Sequence, residues 1–60
     1  MKVKELLEAL STEVEILLFW DNLDFINEYH SKEGVRTQWL NHTVEYMCIM
    51  SKNKIAIYIK

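Results

Sequence analysis

Apolar and polar positions change period along this chain. From Lys2 to Leu10 the apolar residues Val3, Leu6, Leu7 and Leu10 recur at i, i+3, i+4 and i+7, with Lys2, Lys4, Glu5 and Glu8 off the stripe. That spacing is one face of an amphipathic helix. Nine residues are too few for a helix to persist alone in water, so the stripe must lie on a sheet. After Ser11-Thr12, the run Val14-Glu15-Ile16-Leu17-Leu18-Phe19-Trp20 reads as a strand. It sends Val14, Ile16, Leu18 and Trp20 to one face and Glu15, Leu17 and Phe19 to the other. Val3, Leu7, Leu10, Val14 and Leu17 also fall at heptad spacing. One helix through residue 20 would leave Ile16, Phe19 and Trp20 off its seam, so the strand is the preferred reading.

The last third carries the period of a sheet. Two apolar runs, Val44-Glu45-Tyr46-Met47-Cys48-Ile49-Met50 and Ile55-Ala56-Ile57-Tyr58-Ile59, flank the polar tetrad Ser51-Lys52-Asn53-Lys54. β-Branched and aromatic residues are enriched and proline is absent, so residues 44–60 read as a β-hairpin. Counting outward from the tetrad sets Met50 opposite Ile55, Cys48 opposite Ile57 and Tyr46 opposite Ile59 on one face. Ile49 with Ala56, Met47 with Tyr58 and Glu45 with Lys60 share the other. The last is an opposite-charge pair that supports this register by roughly 0.2–1 kcal/mol. Asn53 tolerates the positive φ of a tight turn, and Lys52 and Lys54 keep the tip solvated and discourage edge pairing.

Between these ends the signal is weaker. Asp21 suits a helix N-cap, Leu23, Ile26 and Tyr29 or His30 recur at helical spacing, and Gly34 can end the element in the left-handed conformation. Residues 21–34 therefore read as a short helix or as an irregular excursion. Residues 35–42, with Trp39 and Leu40 as apolar members, read as a connection holding a turn of helix or a short extra strand. The whole is one small α+β domain over residues 1–60: an antiparallel sheet of about three strands with a C-terminal β-hairpin, packed by the N-terminal amphipathic helix.

Length alters this picture. A sixty-residue chain buries only about 60% of its unfolded surface, and such a core roughly breaks even against conformational entropy. A lone Cys48 excludes an intramolecular disulfide and no Cys/His cluster points to structural zinc, which leaves a dense apolar core or self-association. Half of the residues are hydrophobic, with one glycine and no proline, a composition that folds. The net charge of −2 argues against general nucleic-acid binding, which shows as a basic excess. The first residues lack a signal-peptide core and no run approaches the roughly 18 apolar residues of a membrane span. A cytoplasmic protein without membrane contact is expected. Asn41-His42-Thr43 matches the glycosylation pattern, read here as chance.

The predicted sheet is apolar on both faces. The helix covers the face of Ile55, Ile57 and Ile59, leaving Leu17, Phe19, Met47, Ile49 and Tyr58 to another cover. Either residues 21–34 fold over them with Leu23, Phe25 and Ile26, or a second molecule does. Trp20, Tyr29 and Trp39 lie at or beside element ends, where such aromatics anchor interfaces or cap a small core. The interface candidates are therefore Phe19, Trp20, Tyr29, Trp39, Met47, Ile49 and Tyr58. Asp21, Asp24 and Glu28 would share a helix face, read as solvated because the spacing and central glycine of an EF-hand are missing. For nucleophilic catalysis only Cys48 is available, with His30 or His42 as base. The register buries its thiol opposite Ile57 as a small hydrophobe. With no glycine-rich phosphate loop, HExxH or CxxC, no enzymatic activity, cofactor or metal is expected.

The opening Val3-Lys4-Glu5-Leu6-Leu7-Glu8-Ala9-Leu10, the following Val14-Glu15-Ile16-Leu17 and the closing Ile55-Ala56-Ile57-Tyr58-Ile59 resemble short phage and prophage proteins. These similarly begin with a "VKELIE-L" helix leading into a strand. The likeness covers about twenty residues and transfers no functional residue, and the Pro-Asp turn that many of those proteins have between helix and strand is missing here. It implies an origin in a mobile element and a cytoplasmic life.

The expectation is a small interaction protein, self-associating as a homodimer, that presents an apolar and acidic surface to a protein partner. A phage-type modulator of a host protein, or an acidic mimic of nucleic acid, would be forms of this. The alternative is a nucleic-acid accessory protein using Lys52, Lys54, Lys60 and Arg36.

Overall fold

The leucine-bearing stripe folds as α1 (Val3–Glu8) in the computed structural model, which describes residues 1–60. Val3, Leu6 and Leu7 are buried, and Leu10 is half-buried past the helix end. A helix this short leaves its first N–H groups without intrahelical acceptors. The connection before the C-terminal hairpin supplies them: Val3 N–H donates to the His42 carbonyl and Lys4 N–H to the Leu40 carbonyl, both at 3.0 Å. The Glu5 carboxylate reaches back to accept from Lys2 N–H at 2.8 Å. That connection holds two single 3-10 turns, Lys32–Gly34 and Thr37–Trp39. It buries Val35 and brings Trp39 and Leu40 against the core.

Four strands follow the helix: β1 (Glu15–Trp20), β2 (Phe25–Tyr29), β3 (Val44–Ser51) and β4 (Lys54–Ile59). They form one sheet in the order β2-β1-β4-β3. The chain makes two antiparallel hairpins, β1β2 and β3β4, laid side by side so that β1 and β4 run parallel at the centre. These are the two most continuously apolar strands, which suits a position flanked on both sides. Ile16, Leu18, Ile57 and Ile59 stand on one face and are fully buried, in a cluster with Val3, Leu6 and Leu7 of α1 and with Tyr29, Val35 and Ile55. Leu18 pairs directly with Ile57.

The sheet is therefore mixed and four-stranded, where a three-stranded antiparallel one is expected from the sequence. The extra strand is β2, in the segment read as helix or irregular excursion. Helical spacing of Leu23, Ile26 and Tyr29 competes there with turn chemistry, and the turn wins. Asn22 Oδ1 accepts from Asp24 N–H at 3.0 Å, Leu23 N–H donates to the Trp20 carbonyl at 2.9 Å, and Trp20 N–H to the Asp24 carbonyl at 2.8 Å. Asp21 opens this reversal and caps no helix.

The C-terminal hairpin is present, closed by Ser51 opposite Lys54, but its register departs from the predicted one. An irregularity at Met50 absorbs one residue, so Ile49 faces Ile55, Cys48 faces Ala56, Met47 faces Ile57 and Tyr46 faces Tyr58. Every side chain from Tyr46 to Ile49 thereby changes its assigned neighbour. A second irregularity between Val44 and Tyr46 sets Val44 opposite Ile59, one residue further from the predicted register, and Glu45 meets Lys60 through side chains alone, in an ion pair at 2.8 Å.

Gly34 also differs from expectation, because no glycine in the chain has positive φ. A Cβ at this position would meet Tyr29 Cδ1 at 3.9 Å, an ordinary contact. Gly34→Ala is accordingly expected to stabilise the protein by about 0.4–1 kcal/mol through the unfolded chain, read as a higher urea midpoint.

Candidate interaction surface

The face of the sheet turned away from α1 has a different composition. Alternation along each strand brings Phe25 of β2, Phe19 of β1, Tyr58 of β4 and Tyr46 of β3 into one row that crosses the whole sheet. Phe25 meets Phe19 edge-on at 5.4 Å between centroids. Phe19 stacks on Tyr58 at 5.0 Å and Tyr58 on Tyr46 at 4.3 Å, each with 18° between ring planes. These separations are close to the roughly 4.8 Å between neighbouring strands. Rings lying flat would need more room, so the three stacked rings stand on edge, each resting its face on the next.

Beside the aromatic row lie Glu28, Leu17, Ala56 and Cys48, in the same strand order. Ala56 alone among the residues of this face is buried. Its small side chain lies beneath its larger neighbours, while Phe25 remains 56% exposed and Tyr46 47% exposed. Residues 21–34 do not fold over this face. They add β2 to its edge, so Phe25 extends the apolar surface instead of covering it.

Charged side chains flank the stripe on both sides, toward the two ends of the strands. Glu28 pairs with Lys54 at 3.6 Å and Glu15 lies 3.7 Å from His30 Nδ1 on one side, and Glu45 pairs with Lys60 on the other. The hydrogen bond from Lys60 to the Glu45 carboxylate, with the charge of that carboxylate and a smaller contribution from Asp21, holds the lysine above its ordinary pKa. Exposed pairs of this kind contribute little to stability. Their effect here is to engage two of the three lysines of the hairpin, leaving Lys52 at the tip.

The sequence-predicted candidates separate into three places. Phe19 and Tyr58 form the centre of the aromatic row. Met47 and Ile49 lie on the other side of the sheet, but on edge strand β3 and exposed, Ile49 by 73%. Trp20 and Trp39 pack with His42 in a mutual cluster, centroids 5.4–5.6 Å apart, half-buried at the rim of the core. Tyr29 is buried in the core itself, and its hydroxyl reaches no partner. The row's outer members, Phe25 and Tyr46, were missed by sequence reasoning. Asp21-Asn22-Leu23-Asp24 between apolar runs was the available signal for the first, as a hairpin turn.

Cys48 is exposed, not buried opposite Ile57. Neither histidine is brought to its sulfur: His30 lies beside Glu15, and His42 Nδ1 lies 3.0 Å from the Lys60 carbonyl. Asp21, Asp24 and Glu28 are spread over a turn and a strand, and no group of three metal-ligating side chains forms. The depression between α1 and the first 3-10 turn is lined by Lys4, Leu7, Glu8, Lys32, Glu33 and Leu40, mostly charged side chains.

Fold and surface together define a small mixed-sheet α+β protein with one face covered by its helix and one open aromatic face. No family model matches the chain, and neither a curated protein nor a solved structure shows significant similarity to it. No helix is long and apolar enough to cross a membrane.

Proposed function

We propose that this chain is a small protein-interaction module that docks a protein partner on the open aromatic face and also self-associates. The observation that carries this reading is the row Phe25, Phe19, Tyr58, Tyr46, an apolar stripe across all four strands with acidic residues flanking it on both sides. Aromatic anchors with a charged rim are the composition of protein-binding patches. A phage-type modulator of a host protein is one form of this function, and the resemblance above implies a mobile-element origin and a cytoplasmic life, not an activity. The cytoplasm, which keeps a free exposed thiol such as Cys48 reduced, suits it.

The nucleic-acid alternative is weaker on two counts. Bases stack on exposed ring faces, whereas Phe19, Tyr58 and Tyr46 turn their faces toward one another. Lys54 and Lys60 are engaged by carboxylates, and Arg36 belongs to the connection, next to Val35 of the core, and not to the hairpin.

The test is affinity capture from host extract with the wild-type chain, Phe25→Ser, Tyr46→Ser and the control Glu33→Ala. Both aromatic positions are exposed, so the fold is expected to survive. A specific partner bound by wild type and control should lose about 30-fold or more in affinity to either aromatic variant, the scale of a hot-spot residue. Equal capture by all four proteins would refute the reading. So would polynucleotide binding that falls steeply with salt, which would establish the alternative.

A further inference from the structure

We infer that a second copy of this chain pairs with the outer edge of β3, antiparallel about a two-fold axis through Cys48, joining two four-stranded sheets into one of eight strands. The inference rests on the self-association in the proposed function and names the surface and register for it.

The two edges of the sheet are built differently. β2 is five residues long, interrupted by an irregularity opposite Phe19, carries Asn27 and Glu28, and is flanked by Asp24 and His30. Short length and charge are how sheet edges are kept from pairing; β3 has irregularities of its own, between Val44 and Tyr46 and at Met50, but Tyr46 to Ile49 between them keep an unbroken register with β4. β3 is eight residues long, the longest element in the chain, and every residue from Glu45 to Ser51 is exposed. After Glu45 come five uncharged residues, Tyr46-Met47-Cys48-Ile49-Met50, with no proline. At the strand's start the edge is already occupied, since Val44 N–H donates to the Met1 carbonyl at 2.8 Å and Lys2 bridges to Thr43. The free edge therefore coincides with the apolar run.

That run is self-complementary in one orientation. A two-fold axis normal to the sheet keeps each face on its own side, so residues of like face must oppose each other. Set at Cys48, the midpoint of the run, it places Met47 of one copy opposite Ile49 of the other on the helix side, twice. It also places Cys48 opposite Cys48 on the aromatic side, while Tyr46 meets the irregularity at Met50. Glu45 of each copy comes alongside Ser51 and Lys52 of the other, so opposite charges close both ends. Parallel pairing would set Glu45 beside Glu45, and like charges directly opposed are unfavourable.

The monomer also has reason to add core. Its buried cluster is ten residues, with no disulfide and no metal group, and chains of this size need a further device. A standard interface removes about 800 Å² per subunit, a fifth of the 3974 Å² surface of this chain. One strand edge with its flanking side chains supplies less, so a reversible dimer is expected. Pairing leaves the aromatic face open and sets two aromatic rows on one continuous surface.

Sedimentation equilibrium over a wide concentration range tests this with wild type, Ile49→Lys and Phe25→Ser. The wild-type mass should rise from 7.2 kDa to a plateau at twice that value. Ile49→Lys, at an exposed site, should weaken dimerisation at least tenfold while keeping the wild-type circular dichroism, and Phe25→Ser should leave dimerisation unchanged. A short bismaleimide should join Cys48 to Cys48 in wild-type dimers and far less in Ile49→Lys. A monomer at millimolar concentration overturns the inference, as does growth past the dimer without a plateau. A dimer lost with Phe25→Ser but indifferent to Ile49→Lys places the contact on the aromatic face and also overturns it. Failure here with partner capture still sensitive to Tyr46→Ser leaves the docking face standing, which separates the two readings.

Discussion

Leu18→Ala is expected to leave this protein largely unfolded in water at room temperature. Leu18 is 0% exposed, on the inner strand β1, and its directly paired neighbour Ile57 is also 0% exposed. Truncating a buried leucine costs about 2–5 kcal/mol, from lost transfer energy and the cavity left behind. A chain of this length has a total stability of about 3–5 kcal/mol, so one such loss consumes most of it. Far-ultraviolet circular dichroism with urea titration provides the check. The milder Ile57→Val removes one methylene and should cost about 0.5–1.5 kcal/mol, lowering the urea midpoint while preserving a cooperative transition. A well-folded Leu18→Ala protein with a near-wild-type midpoint would mean that the centre of the sheet is not where its stability resides.

Leu23→Gly is expected to move stability the other way, by about 1 kcal/mol. Leu23 has φ of 77°, the one positive value in the chain, at the tip of the β1β2 turn. A left-handed conformation costs a residue with Cβ about 1–2 kcal/mol, and glycine returns part of that gain as unfolded-state entropy. The leucine is also 64% exposed, so its removal forfeits little burial. A large apolar side chain held in a strained and solvated position, two residues from Phe25, contributes nothing evident to the fold. Strain of this kind occurs at functional sites. Leu23→Gly should therefore raise the urea midpoint and, in the same preparation, weaken capture of the partner that Phe25→Ser loses. A gain in stability with unchanged capture would confine Leu23 to the turn.

The parts of this fold legible in the sequence are those with a strong single period. Val3, Leu6 and Leu7 announced the helix and its buried side. The alternation from Val14 to Trp20 correctly divided Ile16 and Leu18 from Leu17 and Phe19, and the Ser51–Lys54 turn closed the hairpin. β2 was obscured because five residues with two polar members, Asn27 and Glu28, carry no clean alternation, while Leu23, Ile26 and Tyr29 imitate a helix. The irregularity at Met50 was invisible because no residue there demands it, and one inserted residue exchanged the neighbours of Tyr46, Met47, Cys48 and Ile49. That exchange hides Tyr46 from the aromatic row, and the obscured β2 hides Phe25. Counting outward from the tetrad assigns Tyr46 to the face opposite Tyr58, although the two rings are stacked at 4.3 Å. The parallel contact between β1 and β4 depends on how two hairpins lie together, which neither hairpin encodes by itself.

Helix, sheet and surfaces join in one description: α1 closes one face, the other stays open as an aromatic stripe, and β3 offers a pairing edge beside it. The most direct test is the relaxation of side-chain protons by a soluble paramagnetic probe, followed by NMR across the concentration range of dimerisation. In dilute solution the account predicts strong relaxation of Phe25, Tyr46 and Ile49, with Leu18, Ile57 and Ile59 protected. As concentration rises, Ile49 should become protected while Phe25 remains exposed. Protection of Phe25 and Tyr46 equal to that of Leu18 in dilute solution would contradict it, because the chain would then be covering its own aromatic face.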